Sequence, residues 1–167
     1  MTTIKKLTNK ELLKIKQSWM LDGDALVWKV GRRAGKPVAT SVRKAGHQNV
    51  YLTVDGKLKG FVLARIIWFL RTEEYPDLYV EHRDGNPQNN SINNLRLATH
   101  SQNMANLTIG RTGREKKGVY LNKNSGKYYV QVQKDGIVHG RCGFLNFDDA
   151  YIYRQSLAQE LFGEFAR

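Results

Sequence analysis

Residues 78–106 constrain the fold more tightly than any other part of this chain. Leu78-Tyr79-Val80-Glu81-His82 reads as a short strand, and Leu95-Arg96-Leu97-Ala98 reads as the strand that returns. Between them Asp84-Gly85 and Asn86-Pro87 make turns, and Asn86, Asn89, Asn90 and Asn93 are turn-forming residues. Thr99 or Ser101 can cap a helix carrying Gln102, Asn103, Ala105 and Asn106. The order is strand, loop, strand, helix.

The sequence before this stretch is built from short elements. Thr8-Asn9-Lys10-Glu11 has the pattern of a capping box, and Leu12, Ile15 and Trp19 recur at helical spacing, so residues 9–20 read as an amphipathic helix ended by Asp22-Gly23-Asp24. Residues 25–30 read as a strand and Gly31 to Pro37 as a basic, Gly-rich loop. Two strand-like runs, 49–54 and 57–62, flank Asp55-Gly56, a strong hairpin signal. A short buried helix over 62–71 carries Ile66, Ile67 and Trp68, and Pro76 bounds it. Residues 108–117 hold Gly and charge with little to bury and read as a linker. The expected division is therefore residues 1–107, with a core at about 60–107, then the linker, then a module over 118–167.

The net charge of +12 implies a polyanionic partner, because surface Lys and Arg displace counterions from phosphates. The surplus is uneven: residues 1–80 carry +8, residues 81–117 carry +3 and residues 118–167 carry +1. The candidates for phosphate contact are Arg32, Arg33, Lys36, Arg43, Lys44, Arg65 and Arg96. A single cysteine, Cys142, excludes an intrachain disulfide and a Cys-based zinc cage, and fits a reduced, cytoplasmic setting. It reads as a small core residue. The N-terminal residues do not read as a signal peptide, and the longest apolar stretch, Phe61 to Leu70, is interrupted by Arg65 and too short to span a bilayer. No membrane partner is expected.

The residues of the 78–106 stretch suit one reaction class. Phosphodiester hydrolysis needs an activated water and neutralisation of charge at the phosphate. His82 is of the residue type whose ordinary pKa suits a general base near neutral pH. A carboxylate and an amide oxygen, Glu81 and Asn103, suit Mg²⁺ (or Mn²⁺), a hard cation that prefers oxygen and keeps several waters. Of the other histidines, His47 sits in a polar loop and reads as surface, while His100 fits a capping turn and His139 an exposed strand position.

The string from Glu81 to Asn103 closely resembles the HNH endonuclease motif of phage and homing-type enzymes, in the variant with Asn last. By that resemblance His82 matches the general base and Glu81 the acidic ligand of a single metal. Asn94 matches the middle Asn, which braces the hairpin and the loop holding the base, and Asn103 the second metal ligand. It implies a ββα-metal core, double-stranded DNA as partner and cleavage of its backbone. Two positions depart from the family pattern. Glu81 stands where Asp is more usual, and Ala64-Arg65 stands where a His-Arg pair is usual.

Beyond the linker the pattern changes. Gly118 to Asn122 reads as a strand, Lys127 to Gln133 alternates apolar and polar as a strand with one wet face does, and Ile137 to Cys142 reads as a third strand after Asp135-Gly136. Residues 148–162 are helical, with Ala150, Ile152, Tyr153, Leu157, Leu161 and Phe162 on the apolar face. Gly118-Val119-Tyr120, Gly126-Lys127-Tyr128-Tyr129-Val130, Gly143-Phe144 and Leu161-Phe162-Gly163-Glu164-Phe165-Ala166 resemble the Apetala/ethylene-response type of DNA-binding domain. That resemblance implies a three-stranded antiparallel sheet on one helix, giving an α+β chain overall. Tyr128, Val130 and Val132 should face the helix, and Tyr120, Asn122, Tyr129, Gln131 and Gln133 should face DNA, where Gln can bond adenine bidentately.

Glu81 and Ala64 also leave open a second function class, a DNA-binding regulator or architectural protein with an inactive nuclease site. A preference for RNA or structured DNA stays open too, as do the target sequence and the oligomeric state.

Overall fold

The computed structural model describes residue 4, residues 6–106 and residues 118–166. The expected linker at 108–117 lies outside the described residues. Those described are mixed helix and sheet, with four small sheets. The chain divides into two compact units, Met1–Leu97 and Ala98–Arg167.

The first unit starts with helix α1 (Asn9–Ser18) and a complete capping box: the Thr8 hydroxyl accepts from the Glu11 N–H (3.3 Å), and the Glu11 carboxylate accepts from the Thr8 N–H (2.8 Å). The helix stops two residues short of its expected end. Trp19 opens strand β1 (Trp19–Asp22), which pairs with β2 (Ala25–Trp28). Trp19 continues the helical spacing of Leu12 and Ile15, yet it is buried as a strand residue, edge-on to Trp28 (5.9 Å) and Phe61 (6.2 Å). A sheet follows in the order β3 (Ser41–Val42), β4 (Gln48–Val54), β5 (Lys57–Val62).

The β4–β5 turn is Asp55-Gly56, with φ of 53° and 71°. Two positive φ values in a two-residue hairpin loop match the right-handed twist of the strands. On β4, Val50, Leu52 and Val54 point into the core and Tyr51 and Thr53 point out. Helix α2 (Leu63–Thr72) follows β5 directly and buries Ile66 and Ile67 against Ile15, Val50 and Phe61. Strands β6 (Tyr79–His82) and β7 (Leu95–Ala98) then pair.

The second unit contains α3 (His100–Asn106), a sheet in the order β10–β9–β8 and helix α4 (Phe147–Phe162). The strands are β8 (Val119–Leu121), β9 (Tyr128–Lys134) and β10 (Ile137–Phe144). This is the three-stranded antiparallel sheet on one helix expected from the sequence. Val130 and Val132 are buried, while Gln131 and Gln133 are exposed. Two expectations fail here. Ile152 is 61% exposed, because the inward positions of α4 are Ala150, Arg154, Ala158 and Phe162. Cys142 is exposed, because the β9–β10 register sets it opposite Tyr129 on the outer face of the sheet.

The capping box supports a stability test. Replacing Thr8 by Ala should cost about 1 kcal/mol in urea denaturation. Lys59, bonded at 2.9 Å, and the Thr8 N–H hold the Glu11 carboxyl down from 4.5 to about 2. A lowered folded pKa means the stabilisation is complete above about pH 4.5 and lost as pH falls toward 2. The stability gap between the native chain and Glu11→Gln should close over that window.

Candidate active site

Residues 83–94 connect β6 to β7 with few apolar side chains, so their shape comes from polar bonds. The Arg83 N–H donates to the Asn94 carbonyl (2.8 Å), and the Gly85 N–H donates to the His82 carbonyl (2.9 Å). Asp84 is the hub. One of its oxygens accepts from the Asn86 N–H (2.8 Å) and the Asn94 amide (3.0 Å), and the other accepts from the Asn89 amide (2.7 Å). The Asn89 bond, then those from Asn86 and Asn94, hold the Asp84 carboxyl below its ordinary pKa. The Asn94 side chain also donates to the Asn89 carbonyl (2.7 Å) and accepts from the Asp84 N–H (3.1 Å). Asn94 thus braces the loop.

His82 ends β6 and is buried. Its Nε2 lies 3.1 Å from Asn90 Oδ1, and Asn90 is itself buried, donating through Nδ2 to Gln48 Oε1 (2.7 Å) and the Gln88 carbonyl (3.2 Å). Asn90 and Gln48 are the residues that sequence reasoning missed. Asn90 reads as one more turn former, and Gln48 is forty-two residues away in the chain. The His47 ring lies 5.9 Å from that of His82. Partial burial, then the electrostatic influence of the neighbouring His82 and Arg43, push the His47 pKa down. His47 is exposed, as expected, but it stands beside the candidate base.

Glu81 is also buried, and its carboxylate is ion-paired with the guanidinium of Arg96 on β7, which is buried too. Arg96 was expected on a DNA-facing surface; its side chain is only 6% exposed and holds Glu81 instead. Arg65 departs from expectation in the same way. Its guanidinium donates to the Leu78 carbonyl (2.8 Å), the Pro76 carbonyl and the Tyr75 hydroxyl (3.1 Å), and it lies over the Tyr75 ring. It ties α2 to the segment entering β6.

The other basic candidates lie at the surface. Arg32 and Arg33 are exposed on a single helical turn, Gly31–Arg33, with the Arg33 guanidinium 5.4 Å from the Trp28 ring centre, and Lys36 is exposed nearby. Arg43 and Lys44 are exposed on the β3–β4 loop that leads to His47.

In the second unit, Asn103 sits on α3 and is half-buried, its N–H donating to the Thr99 carbonyl (2.9 Å). The Tyr120 and Tyr129 rings stack at 5.3 Å on the outer sheet face. With Gln131, Gly140, Arg141 and Cys142, Tyr129 borders a shallow groove of about 870 Å³. Asn122 differs from its expected role, because its side-chain oxygen closes a turn by accepting from the Asn124 (3.0 Å) and Ser125 (3.3 Å) N–H groups.

Among the described residues, no group of three or more His, Cys, Asp or Glu side chains could hold a metal ion. A cation here would draw on few protein ligands. Glu81, in the first unit, carries a carboxylate and Asn103, in the second, an amide oxygen, each a hard donor of the kind Mg²⁺ takes.

Residues 64–105 match the family model described as HNH endonuclease and thus carry an HNH endonuclease domain. The chain is 35% identical to Protein 3.8 of Escherichia phage T7 over 91 residues, covering 53% of this chain and 74% of that one. It is 34% identical over 142 residues to the uncharacterized HNH endonuclease L560 of Acanthamoeba polyphaga mimivirus, covering 83% of this chain and 64% of that protein. It is 31% identical over 107 residues to the DNA endonuclease I-HmuI of Bacillus phage SP01, covering 63% of this chain and 62% of that one. The chain thus spans less than two thirds of the length of these last two relatives. A solved structure described as DNA binding and cleavage by the HNH homing endonuclease I-HmuI aligns over 87% of this chain and 78% of that one, with 23% identity and a TM-score of 0.44.

The buried Glu81–Arg96 pair has a measurable signature. Removing one partner strands a charge and should cost about 3–5 kcal/mol, whereas replacing both by apolar residues should cost far less. Glu81→Leu should therefore be markedly less stable in urea than Glu81→Leu/Arg96→Leu. Equal losses in the single and double variants would show that the pair does not hold the two strands as described.

Proposed function

We propose that the chain is a divalent-metal-dependent endonuclease that hydrolyses phosphodiester bonds of double-stranded DNA, with His82 as general base. The observation that carries this is His82 itself: buried at the end of β6, held by Asn90, at the base of a loop braced by Asn94, and inside the stretch that matches the HNH family. A water oxygen attacks phosphorus, its proton passes to the imidazole of His82, and the bond from phosphorus to the leaving oxygen breaks, that oxygen taking a proton from solvent. The family match takes in both Glu81 and Asn103, and on that ground they are the residues that would hold the cation. When bound, the cation supplies charge neutralisation at the phosphate. A cation at Glu81 must share the carboxylate with Arg96 or displace it. That contact favours one competing reading, a DNA-binding protein whose nuclease site is silent.

Arg32, Arg33, Lys36, Arg43 and Lys44 provide surface charge for the phosphate backbone, and Arg43 and Lys44 lie on the loop leading to the candidate base. Their contribution should fall steeply with salt. The outer sheet face of the second unit, with Tyr120, Tyr129, Gln131 and Gln133, is proposed as an Apetala-type reader of base edges.

A plasmid-nicking assay with Mg²⁺ or Mn²⁺ tests the catalytic reading. His82→Ala should lose about 10²–10⁴-fold in rate while still binding DNA. Nicking by the native chain that persists in EDTA, or near-normal nicking by His82→Ala, would overturn it. Absence of nicking with either metal would favour the silent-site reading. Because Glu81 supports the fold as well, Asn103→Ala is the cleaner test of metal binding.

Cys142 offers a direct test of the reader. It is the chain's one cysteine and is exposed on the outer sheet face. Bound duplex DNA should slow its alkylation by a maleimide several-fold. Equal alkylation rates with and without saturating DNA would remove this face from the interface.

A further inference from the structure

We propose that Asn90, steadied by Gln48, is a positioning residue that fixes His82 as the Nε2–H tautomer, so that Nδ1 is the nitrogen that takes the proton from the attacking water. The inference rests on the catalytic reading of His82 given above.

The geometry decides it in three steps. An asparagine amide has one end that donates and one that accepts. The Asn90 end that faces the Gln88 carbonyl at 3.2 Å must be the NH₂ group, because a backbone carbonyl only accepts. Gln48 Oε1, at 2.7 Å from the same nitrogen, takes its second hydrogen. The end left facing His82 is the carbonyl oxygen, 3.1 Å from Nε2. An oxygen that accepts requires a hydrogen on that ring nitrogen. In a neutral imidazole only one nitrogen carries hydrogen, so the lone pair that can accept a proton is on Nδ1.

The surroundings make this arrangement stiff. Asn90 is 9% exposed and His82 is 5% exposed, so neither amide rotation nor ring rotation can exchange its partners for bulk water at little cost. Gln48 stands on β4, in the core of the first unit, and so ties the imidazole to a sheet outside the motif. Gly46 allows that approach. It holds φ of +85°, and a Cβ there would sit 2.6 Å from Cγ of Pro87 in the motif loop. The β3–β4 loop lies against the motif loop only because residue 46 lacks a side chain.

The test labels histidine nitrogens with ¹⁵N in the full-length chain and reads the ring couplings of His82, assigned by their loss in His82→Gln, at a pH where the ring is neutral. The native chain should show hydrogen on Nε2 alone. Asn90→Leu, similar in size but without an acceptor, should show a mixture of tautomers, and cleavage should fall on the order of 10-fold in kcat with KM little changed, as the loss of an orienting partner typically does. Gln48→Leu removes the acceptor that steadies the Asn90 amide and should move both the tautomer mixture and the rate in the same direction by a smaller amount, and an unchanged tautomer there overturns the role of Gln48 even where Asn90→Leu fails to fold. Hydrogen on Nδ1 in the native chain, or an unchanged tautomer and rate in folded Asn90→Leu, overturns the positioning role even if the chain cuts DNA through His82. An Nε2–H tautomer in a chain that cuts nothing leaves the geometry standing and overturns the catalytic role on which this inference depends.

Discussion

The loop from Arg83 to Asn94 has almost nothing apolar to bury, so hydrophobic collapse cannot give it one shape. Side-chain bonds to its own backbone do so instead. Asp84 and Asn94 join the two ends of the loop, and Asn86 and Asn89 shape the turn between them. Each such bond contributes only about 1 kcal/mol net. The loop is also anchored from outside. Ser91 and Ile92 bond to Asp24 in the β1–β2 turn, and Asn90 bonds to Gln48 on β4. The N-terminal elements are therefore part of what keeps the candidate site ordered.

Charge in this chain does two different jobs. Arg32, Arg33, Lys36, Arg43 and Lys44 are open to solvent and available for long-range attraction of phosphate. Arg65 is half-buried and Arg96 buried, with planar guanidinium groups that each satisfy fixed partners around β6. Arg154 is the extreme case. It lies 5% exposed on the inner side of α4, its Nε has no hydrogen-bond partner, and burial pushes its pKa down. The formal surplus of +12 thus overstates the charge that a polyanion would meet.

What could be read from the sequence was local. The Thr8–Glu11 capping box, the Asp55-Gly56 and Asp135-Gly136 turns and the alternation of β9 each depend on neighbours a few residues away, and each is present. So is the strand–loop–strand–helix order around His82. Trp19 misled because helical spacing and strand burial both call for an apolar residue there. Arg65, Arg96, Ile152 and Cys142 misled because composition gives a residue's type but not the direction it faces. The role of Asn90 was hidden for a different reason. A turn-forming Asn and an Asn that orients a histidine look the same until the partner, far away in the sequence, is brought beside it.

Residue 46 shows how narrow the tolerance of such a site can be at a distance from its chemistry. Gly46 bonds to nothing in the motif and has no functional group, yet its backbone conformation and the nearness of Pro87 both exclude a side chain. In a library saturated at every position and sorted for cleavage, this glycine should be among the least replaceable residues outside residues 81–103, ahead of the surface arginines. Its replacement would act as a wedge, prying the β3–β4 loop with His47, and Gln48 at the start of β4, away from the imidazole while leaving every residue of the motif unchanged in identity.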